Sequence, residues 1–427
     1  MSPILAVAIF VFTYALIVLK PKRINEAQAA LIGAALTIIF LLKPDNVLEA
    51  LGISTPEAPQ PLVTTWNVVV ILATLMVISS LLDDYGFFEY VATRAIRASK
   101  NSGKRLFLYT YLVVSAISFF AGNDVVILTT TPIILIFCRN ARIDPKPYMF
   151  ASFFAANTFS MPLYIGNLTN ILIGDSLHLD YFGFTRYMLL PTLVASVVNY
   201  SLLKYIFRKD IPESFGLHDN GRVTLGNKSL VALGLLVLFG VIVLGGAANY
   251  LKIPLSIVTL GGALILLVSE RRVVHRLKRV SWNVVLFVIG LFIVVKGLEV
   301  SGVAEAAGEF MFSHIGNNLA VASFSVSLLS AFMCNLVNNI PMTAMMLSII
   351  HHAPLTQQMN FGYALVIGSN LGANFTTFGA LAGILWLESA RRYGWSTTMT
   401  DLLKVGLIVT PIAILGASIT LVLEMSF

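Results

Sequence analysis

The side chains best suited to chemistry lie in two short polar stretches of an otherwise apolar chain. The first holds Asn123 and Asp124, followed by three threonines, and the second holds Asn338 and Asn339 in a similar setting. A carboxylate at membrane depth is costly to bury, so an intramembrane aspartate is a functional candidate by default. The paired stretches therefore predict a polar site to which each half of the chain contributes.

Asp124 allows two interpretations. Burial disfavours the charged form of a carboxylate, so this group could bind and release a proton as access to the site alternates. Alternatively, the carboxylate caps the helix that follows at about 125–129, where a helix N-terminus needs an acceptor. The two roles are compatible with each other.

Amide and hydroxyl side chains cluster in four irregular segments at 122–124, 157–170, 335–343 and 369–379, which we expect to converge. The predicted substrate-binding residues are Asn123, Asn157, Thr158, Asn167, Asn170, Asn338, Asn339, Asn370, Thr376 and Thr377, with Asn374 in the same lining. No Lys or Arg falls in these segments, so a neutral polyhydroxy solute or a small ion fits better than a multiply charged anion. The asparagines could equally join packed helices. No metal site or cofactor is predicted.

The composition determines which elements must position these residues. The chain is 57% hydrophobic and only 11% charged, and several nearly uncharged runs approach the length needed to cross a bilayer. This predicts an all-α polytopic membrane protein embedded in the lipid of the cell inner (cytoplasmic) membrane. The net charge of +7 does not indicate nucleic acid binding, because the basic residues cluster in short loops.

The two halves of the chain repeat in close register. Four markers recur at offsets of 216, 216, 215 and 213 residues: Trp66 and Trp282, Gly86 and Gly302, Asn123 and Asn338, Gly166 and Gly379. The loop 94–105 has five basic residues and its copy, 303–318, has none, whereas 44–64 has none and its copy, 271–280, has five. Opposite charge bias at equivalent loops indicates opposite sidedness, so the repeats are predicted to be inverted.

We therefore predict about ten transmembrane helices plus two re-entrant hairpins in two inverted-topology repeats. The first repeat, 1–207, contains three helices, an amphipathic helix at 87–98, a hairpin at about 105–138 and a broken helix at about 147–178. A cytoplasmic linker, 208–228, leads to the second repeat, 229–427, with a hairpin at about 319–352 and a broken helix at about 361–388. The halves of the first hairpin, about 17 and 13 residues, are short for full spans. This design is typical of secondary transporters.

Several motifs resemble the arsenite/antimonite efflux permeases, the ArsB family of the ion transporter superfamily. They include SLLDDYGFFEY (80–90), FFAGNDVVILTTTPIIL (119–135), FAANTFSMPLYIGNLTNIL (154–172), FRKDIPESF (207–215), NNIPMTAMM (338–346) and IGSNLGANFTTFGALAGILWL (367–387). The resemblance implies export of trivalent arsenic and antimony in exchange for protons, through an elevator-like transport domain. It also implies that a cytoplasmic ArsA-type ATPase is a candidate partner, since some relatives associate with one. Arsenious acid is a neutral trihydroxide near neutral pH, and amides and hydroxyls can replace its hydration.

The motif at 369–374 departs from the pattern of many relatives, because it reads Ser-Asn-Leu-Gly-Ala-Asn and lacks one acid and one lysine. An alternative function is therefore a sodium- or proton-coupled carrier of another small anion or solute on the same scaffold. An intramembrane enzyme lacks support, since no HExxH or GxSxG motif lies at membrane depth. Inverted repeats with broken helices favour alternating access over a passive channel.

Overall fold

The computed structural model describes residues 2–19, 24–50, 65–216, 227–251, 253–270, 273–278, 282–315 and 318–426. Within these ranges every regular element is a helix, which confirms the predicted all-α class. Residues 217–226 of the predicted linker lie outside the described residues, as do residues 51–64, the basic segment 20–23 and parts of the basic segment 271–280.

The helices form two series of ten. The first series is α1 (Pro3–Leu19), α2 (Glu26–Phe40), α3 (Pro44–Ala50), α4 (Thr65–Asp84), α5 (Phe87–Ala98), α6 (Gly103–Phe120), α7 (Asn123–Ala141), α8 (Lys146–Phe159), α9 (Leu168–Ser176) and α10 (Tyr181–Ile206). The second series is α11 (Lys228–Tyr250), α12 (Leu255–Ser269), α13 (Val273–Leu277), α14 (Trp282–Val300), α15 (Val303–Ile315), α16 (Leu319–Val337), α17 (Asn339–Ile350), α18 (Leu355–Leu371), α19 (Leu381–Arg392) and α20 (Met399–Ser426). A short 3-10 helix, Gly372–Asn374, follows α18.

The lengths of the helices account for the predicted number of spans. In the described part of the chain, seven helices are long and apolar enough to cross a membrane: α4, α7, α10, α11, α14, α16 and α20. Five of them, with the shorter apolar helices α1, α2 and α12 and the two broken helices α8–α9 and α18–α19, make up the ten predicted spans. The other two, α7 and α16, are arms of the two hairpins, α6–α7 and α16–α17.

The first hairpin corrects one expectation from the sequence. Its arms are 18 and 19 residues long rather than about 17 and 13. The second arm is longer because the polar pair Asn123-Asp124 begins α7 and the helix continues beyond Phe137 to Ala141. Arm length therefore does not distinguish a hairpin from two full spans. The hairpin is indicated instead by the position of its tip inside the protein.

The two series pack reciprocally. Helix α2 packs along α14 as α12 packs along α4, and α7 packs on α19 as α17 packs on α9. Turns at equivalent positions also share a conformation, since Gly86 and Gly302 both adopt left-handed φ values, of 75° and 79°, which favour glycine. This reciprocity is the pattern expected of two repeats related by a two-fold axis, and the loop charges predict that the axis lies in the membrane plane.

Burial separates the inner helices from the outer ones. Along α8 the run from Pro147 to Thr158 is buried on every side, as expected for a mostly apolar helix that lies in the core. By contrast, α10 presents Leu189, Leu190 and Leu193 outward, where the predicted lipid surface lies. The amphipathic helix α5 buries Phe88, Ala92 and Ile96 and packs on both arms of the first hairpin.

Candidate functional site

A cavity of about 310 Å³ lies where both hairpin tips and both broken helices meet α4 and α14. Five residues of the predicted site line it: Asn123, Asp124, Asn167, Asn338 and Asn339. The structure thus brings together the polar pairs of the two repeats, which are more than 200 residues apart in the chain. The rest of the wall is mostly apolar.

Four helices begin at the wall of this cavity. The first residues of α7, α9, α17 and α19, namely Asn123, Leu168, Asn339 and Leu381, all line it. The first turn of a helix leaves backbone N–H groups without partners in that helix, and the helix dipole gives this end a partial positive charge. The cavity is therefore suited to ligand oxygen atoms, and it obtains this property without a basic side chain.

Asp124 lies between two of these helix starts. It occupies the first turn of α7, and its carboxylate lies close to the backbone N–H of Ala382 in the first turn of α19. No side-chain hydrogen bond caps the start of α7, so the helix N-terminus that the carboxylate approaches is that of α19, in the other repeat, rather than that of α7 as the capping hypothesis expected. The side chain is also partly accessible from the cavity. A carboxylate in this position can exchange a proton with the cavity beside the start of α19.

A chain of three amides connects the first hairpin tip to the second repeat. Asn123 Nδ2 donates to Asn157 Oδ1 at 3.0 Å, and Asn157 Nδ2 donates to Asn374 Oδ1 at 3.0 Å. Among the described residues, Nδ2 of Asn374 has no hydrogen-bond partner, although it is buried. This chain ties α7, α8 and the 3-10 helix together behind the cavity.

Asn370 and Asn170 stabilise the irregular backbone between α8 and α9. Asn370 Oδ1 accepts from Ser160 Oγ at 2.9 Å and from Asn167 Nδ2 at 2.8 Å, and its own Nδ2 donates to Asn170 Oδ1 at 2.9 Å. Asn170 Nδ2 in turn donates to the carbonyl oxygens of Ser160 and Leu163, both at 2.8 Å. Irregular backbone inside a membrane protein requires such internal partners.

The three predicted threonines also lie behind the cavity wall. Thr158 Oγ1 accepts from Asn199 Nδ2 at 2.8 Å, and Thr376 Oγ1 donates to Asn335 Oδ1 at 2.7 Å. The predicted binding residues that the structure places in this buried layer, all at most 5% exposed, are Asn157, Thr158, Asn170, Asn370, Asn374, Thr376 and Thr377. They support the wall in this conformation rather than form it, and direct contact with a solute stays a prediction for them.

The second hairpin tip has an unusual backbone. Asn338 adopts φ 67° and ψ 152°, a region that is almost confined to glycine. Its Nδ2 donates to the carbonyl oxygen of Phe378 at 3.2 Å, which ties the tip to the second broken helix. The neighbouring Asn339 has a buried Oδ1 without a hydrogen-bond partner among the described residues. An amide oxygen of this kind can accept a hydrogen bond from a hydroxyl group once a side-chain movement exposes it to the cavity.

Four polar residues of the site were missed by the sequence analysis. Glu26, Ser79 and Asn283 line the cavity from α2, α4 and α14. Asn335, behind the wall, donates from Nδ2 to the carbonyl oxygen of Gly372 at 2.8 Å. Asn283 could have been found, because it belongs to the repeated Trp-Asn marker, but a single serine in an apolar helix gives no signal.

The charges of the lining limit its chemistry. Among the described residues that line the cavity, the acids are Asp124 and Glu26 and none is Lys or Arg. Amide oxygens can accept hydrogen bonds from the hydroxyl groups of a solute, while amide nitrogens and helix N-termini can donate hydrogen bonds to its oxygens. The arrangement can therefore bind a small neutral solute rich in hydroxyl groups and exchange a proton at one carboxylate beside it.

The fold and this cavity define a multi-pass membrane transporter. The chain belongs to the CitMHS family, described as citrate transporters, whose family model matches residues 14–368. This membership and the apolar spans confirm the predicted multi-pass protein of the inner membrane.

Proteins with related sequences and related structures agree with this class. The chain is 28% identical to the "Arsenical pump membrane protein" of Escherichia coli strain K12 over 99% of both chains, which confirms the resemblance seen in the motifs. It is also 28% identical to the "46 kDa membrane protein" of Mycobacterium leprae over 98% of both chains.

The solved YdaH transporter of Alcanivorax borkumensis superposes with a TM-score of 0.55 at 13% identity, covering 97% of this chain and 98% of the other. MtrF of Neisseria gonorrhoeae superposes with a TM-score of 0.56 at 14% identity, covering 99% and 94%. The two structures support the fold alone.

Proposed function

We propose that this chain is a secondary active transporter that exports arsenite, and antimonite by the same route, from the cytoplasm in exchange for protons. The observation that carries the proposal is the similarity to arsenical pump membrane proteins over nearly the whole length of both chains. The chemistry of the cavity agrees with it, because arsenious acid is a small neutral trihydroxide that amides and helix N-termini can bind. A cluster of thiolates would hold trivalent arsenic too tightly for rapid release.

Asp124 is the proposed site of proton coupling. A carboxylate beside the solute can be protonated from one side of the membrane and deprotonated toward the other as access alternates. Its charged form faces the backbone N–H of Ala382 at the start of α19, so a change in protonation would alter the electrostatic interaction between α7 and α19. This links the proton to the packing of the two repeats.

The proposed mechanism is elevator-like. The hairpins and broken helices are tied together by the amide network and by the contacts of α7 with α19 and of α17 with α9. Helices α2, α4, α12 and α14 pack on one another on the opposite side of the cavity and form the proposed scaffold. The solute therefore lies between a connected transport unit and a separate framework, as a sliding mechanism requires.

The test is arsenite accumulation in cells that lack their own exporter. The parent chain, Asp124→Asn and a matched control, Asp210→Asn, are compared at equal expression, because Asp210 is an exposed carboxylate that does not line the cavity. We expect the parent and the control to lower accumulation and Asp124→Asn to fail. Equal export by Asp124→Asn would assign this carboxylate a capping role alone, and no export by the parent would reject arsenite as the solute.

The description of the family favours a second candidate, a carrier of citrate or another small anion. The four helix N-termini at the cavity could bind one carboxylate or another small anion. A multiply charged anion fits less well, because the described lining has two acids and no basic side chain. Uptake of labelled citrate with and without a sodium gradient, by the same cells, distinguishes this candidate from the first.

A further inference from the structure

The two repeats have the same helices but differ in the contacts at the starts of their scaffold helices, α4 and α14. At the start of α4, Asn67 Nδ2 donates to the carboxylate of Asp175 near the end of α9, and Asn67 Oδ1 accepts from the backbone N–H of Ser256 at 3.3 Å. Asn67 and Asp175 are both half-buried. This contact joins the proposed scaffold to a broken helix and closes one end of the groove between them.

The register of the repeats identifies the counterparts of these residues. Asn67 corresponds to Asn283 through the Trp-Asn marker, at an offset of 216 residues. Helices α9 and α19 start at equivalent points, because the residues before them, Asn167 and Ala380, have nearly the same φ and ψ, −146° and 151° against −149° and 160°. The eighth residue of α9 is Asp175 and the eighth residue of α19 is Glu388, which is also an acid.

The counterparts lie apart from each other in this conformation. Asn283 is exposed and lines the cavity. Glu388 is also exposed and pairs instead with Arg392 on its own helix, with 2.6 Å between the charged atoms. Leu385, one turn before Glu388 on α19, lines the cavity, so the acid lies at the mouth of the same groove. One end of the groove is therefore closed by an Asn-acid pair and the other is open between the equivalent residues.

The walls of the cavity show the same asymmetry. Val284 and Phe287 of α14 line the cavity, whereas their counterparts on α4, Val68 and Ile71, are fully buried. In the other half the situation is reversed, because Leu75 of α4 lines the cavity and its counterpart Leu291 is 1% exposed. The groove thus runs along the second half of α4 and the first half of α14. This is expected when the two inverted repeats adopt different conformations.

The loop charges assign these ends to the two sides of the membrane. The open mouth lies at the start of α14, directly after the segment 271–280, which has five basic residues. The closed end lies at the start of α4, directly after the segment 44–64, which has none. Basic segments remain on the cytoplasmic side, so the cavity is open to the cytoplasm and closed to the outside.

We propose that the Asn67–Asp175 pair is the external gate contact of this transporter and that Asn283 and Glu388 form the equivalent cytoplasmic contact when the cavity faces outward. The two contacts alternate, because each forms where a broken helix reaches the start of its scaffold helix and the cavity has only one closed end at a time. The inference rests on the proposed transport function, since it requires alternating access, but not on the identity of the solute.

The test uses two cysteine pairs in the full chain in native membranes. The pairs are Asn67→Cys with Asp175→Cys and Asn283→Cys with Glu388→Cys, and the parent chain is the control because its own cysteines, Cys138 and Cys334, are buried. We expect the first pair to cross-link in resting membranes, to stop transport when linked, and to recover with a reductant. The second pair should cross-link during turnover, and it should not cross-link in molecules in which the first pair is already linked.

Simultaneous linkage of both pairs in one molecule would overturn the proposal, and so would a second pair that never cross-links in a chain that exports its solute. If the parent chain does not export arsenite but the two cross-links still exclude each other, arsenite is rejected as the solute and the gate contacts are retained. A variant without paired cysteines gives an independent measurement. Asp175→Ala should lower labelling of Asn283→Cys by a membrane-impermeant thiol reagent added from the cytoplasmic side by about three- to tenfold. Unchanged labelling there would contradict the external gate.

Discussion

The two hairpin tips occupy equivalent positions at one cavity, yet they are built differently. At the first tip, Gly122 has φ −50° and ψ 144°, which any residue can adopt, and a charged residue, Asp124, follows two positions later. At the second tip, Asn338 has a backbone conformation that favours glycine, and the residue equivalent to Asp124 is the neutral Asn339. The first tip carries a charge on a relaxed backbone, and the second carries amides on a strained one.

This difference suggests a division of roles between the repeats. The carboxylate of Asp124 lies close to the backbone N–H of Ala382, so in the proposed mechanism its protonation acts on the start of α19. Asn339 lines the cavity and has a buried oxygen without a partner among the described residues, so this amide is the candidate for contact with the solute after a side-chain movement. In the proposed function, equivalent positions serve proton coupling in the first repeat and solute binding in the second.

The largest effect is expected from Asn157→Ala, which separates the first tip from the second repeat. The substitution leaves the amides of Asn123 and Asn374 without their partner, and a buried polar group without a partner costs about 1–3 kcal/mol. We expect a lower thermal unfolding temperature in detergent together with loss of export.

The matched control is Asn360→Ala. Asn360 is also buried, but it donates to Ser323 Oγ at 2.7 Å and does not line the cavity. It should lower stability to a similar extent while export continues at equal expression. Normal export by Asn157→Ala would show that the amide chain is not needed for the transport cycle.

A smaller effect is expected from Asn339→Ala at the second tip. The loss of one amide contact to the solute should raise KM about three- to tenfold, the range expected for a single hydrogen bond in a membrane protein. The maximal rate should change little, because the coupling carboxylate is intact. A collapse of the maximal rate at unchanged KM would assign Asn339 to coupling and remove the difference between the tips.

Asn338→Gly tests the strained backbone of the second tip. Glycine adopts this conformation without the cost of a side chain, which is about 1 kcal/mol or more for other residues. We expect Asn338→Gly to be more stable than Asn338→Ala, since both lose the bond to Phe378 and only glycine relieves the strain. Equal unfolding temperatures for the two variants would show that no strain is stored there.

The smallest effect is expected from Gly122→Ala at the first tip. A Cβ atom at this position would have no other atom within 4 Å, and the backbone conformation suits alanine. The free energy of unfolding should change by about 0.5 kcal/mol or less. Gly166→Ala is the contrasting variant, because its Cβ would lie 2.4 Å from the carbonyl oxygen of Ser160, so substantial destabilisation is expected there.

The order of the helices could be predicted from the sequence because apolar runs, loop charges and repeated markers are local signals. The amphipathic helix at 87–98 was found with its observed bounds, since its apolar residues recur at helical spacing. The converging asparagines were also found, because polar residues in apolar runs are conspicuous.

Two features of the site could not be predicted from the sequence. Which of these residues line the cavity and which lie behind its wall depends on contacts between side chains that are more than 200 residues apart in the sequence. The hydrogen bond from Asn157 to Asn374 is an example. The scaffold side of the cavity, with Ser79 and Asn283, depends on which position the two repeats adopt. The sequence permits more than one such position, so it does not indicate these residues.

The most direct test of proton-coupled export measures arsenite uptake into everted membrane vesicles across which a pH gradient is imposed. With an acidic interior, the parent chain should accumulate arsenite, a protonophore should abolish the accumulation, and Asp124→Asn should show none at equal expression. Accumulation that follows a sodium gradient and ignores the proton gradient would contradict the account, as would equal proton-driven accumulation by the parent and Asp124→Asn.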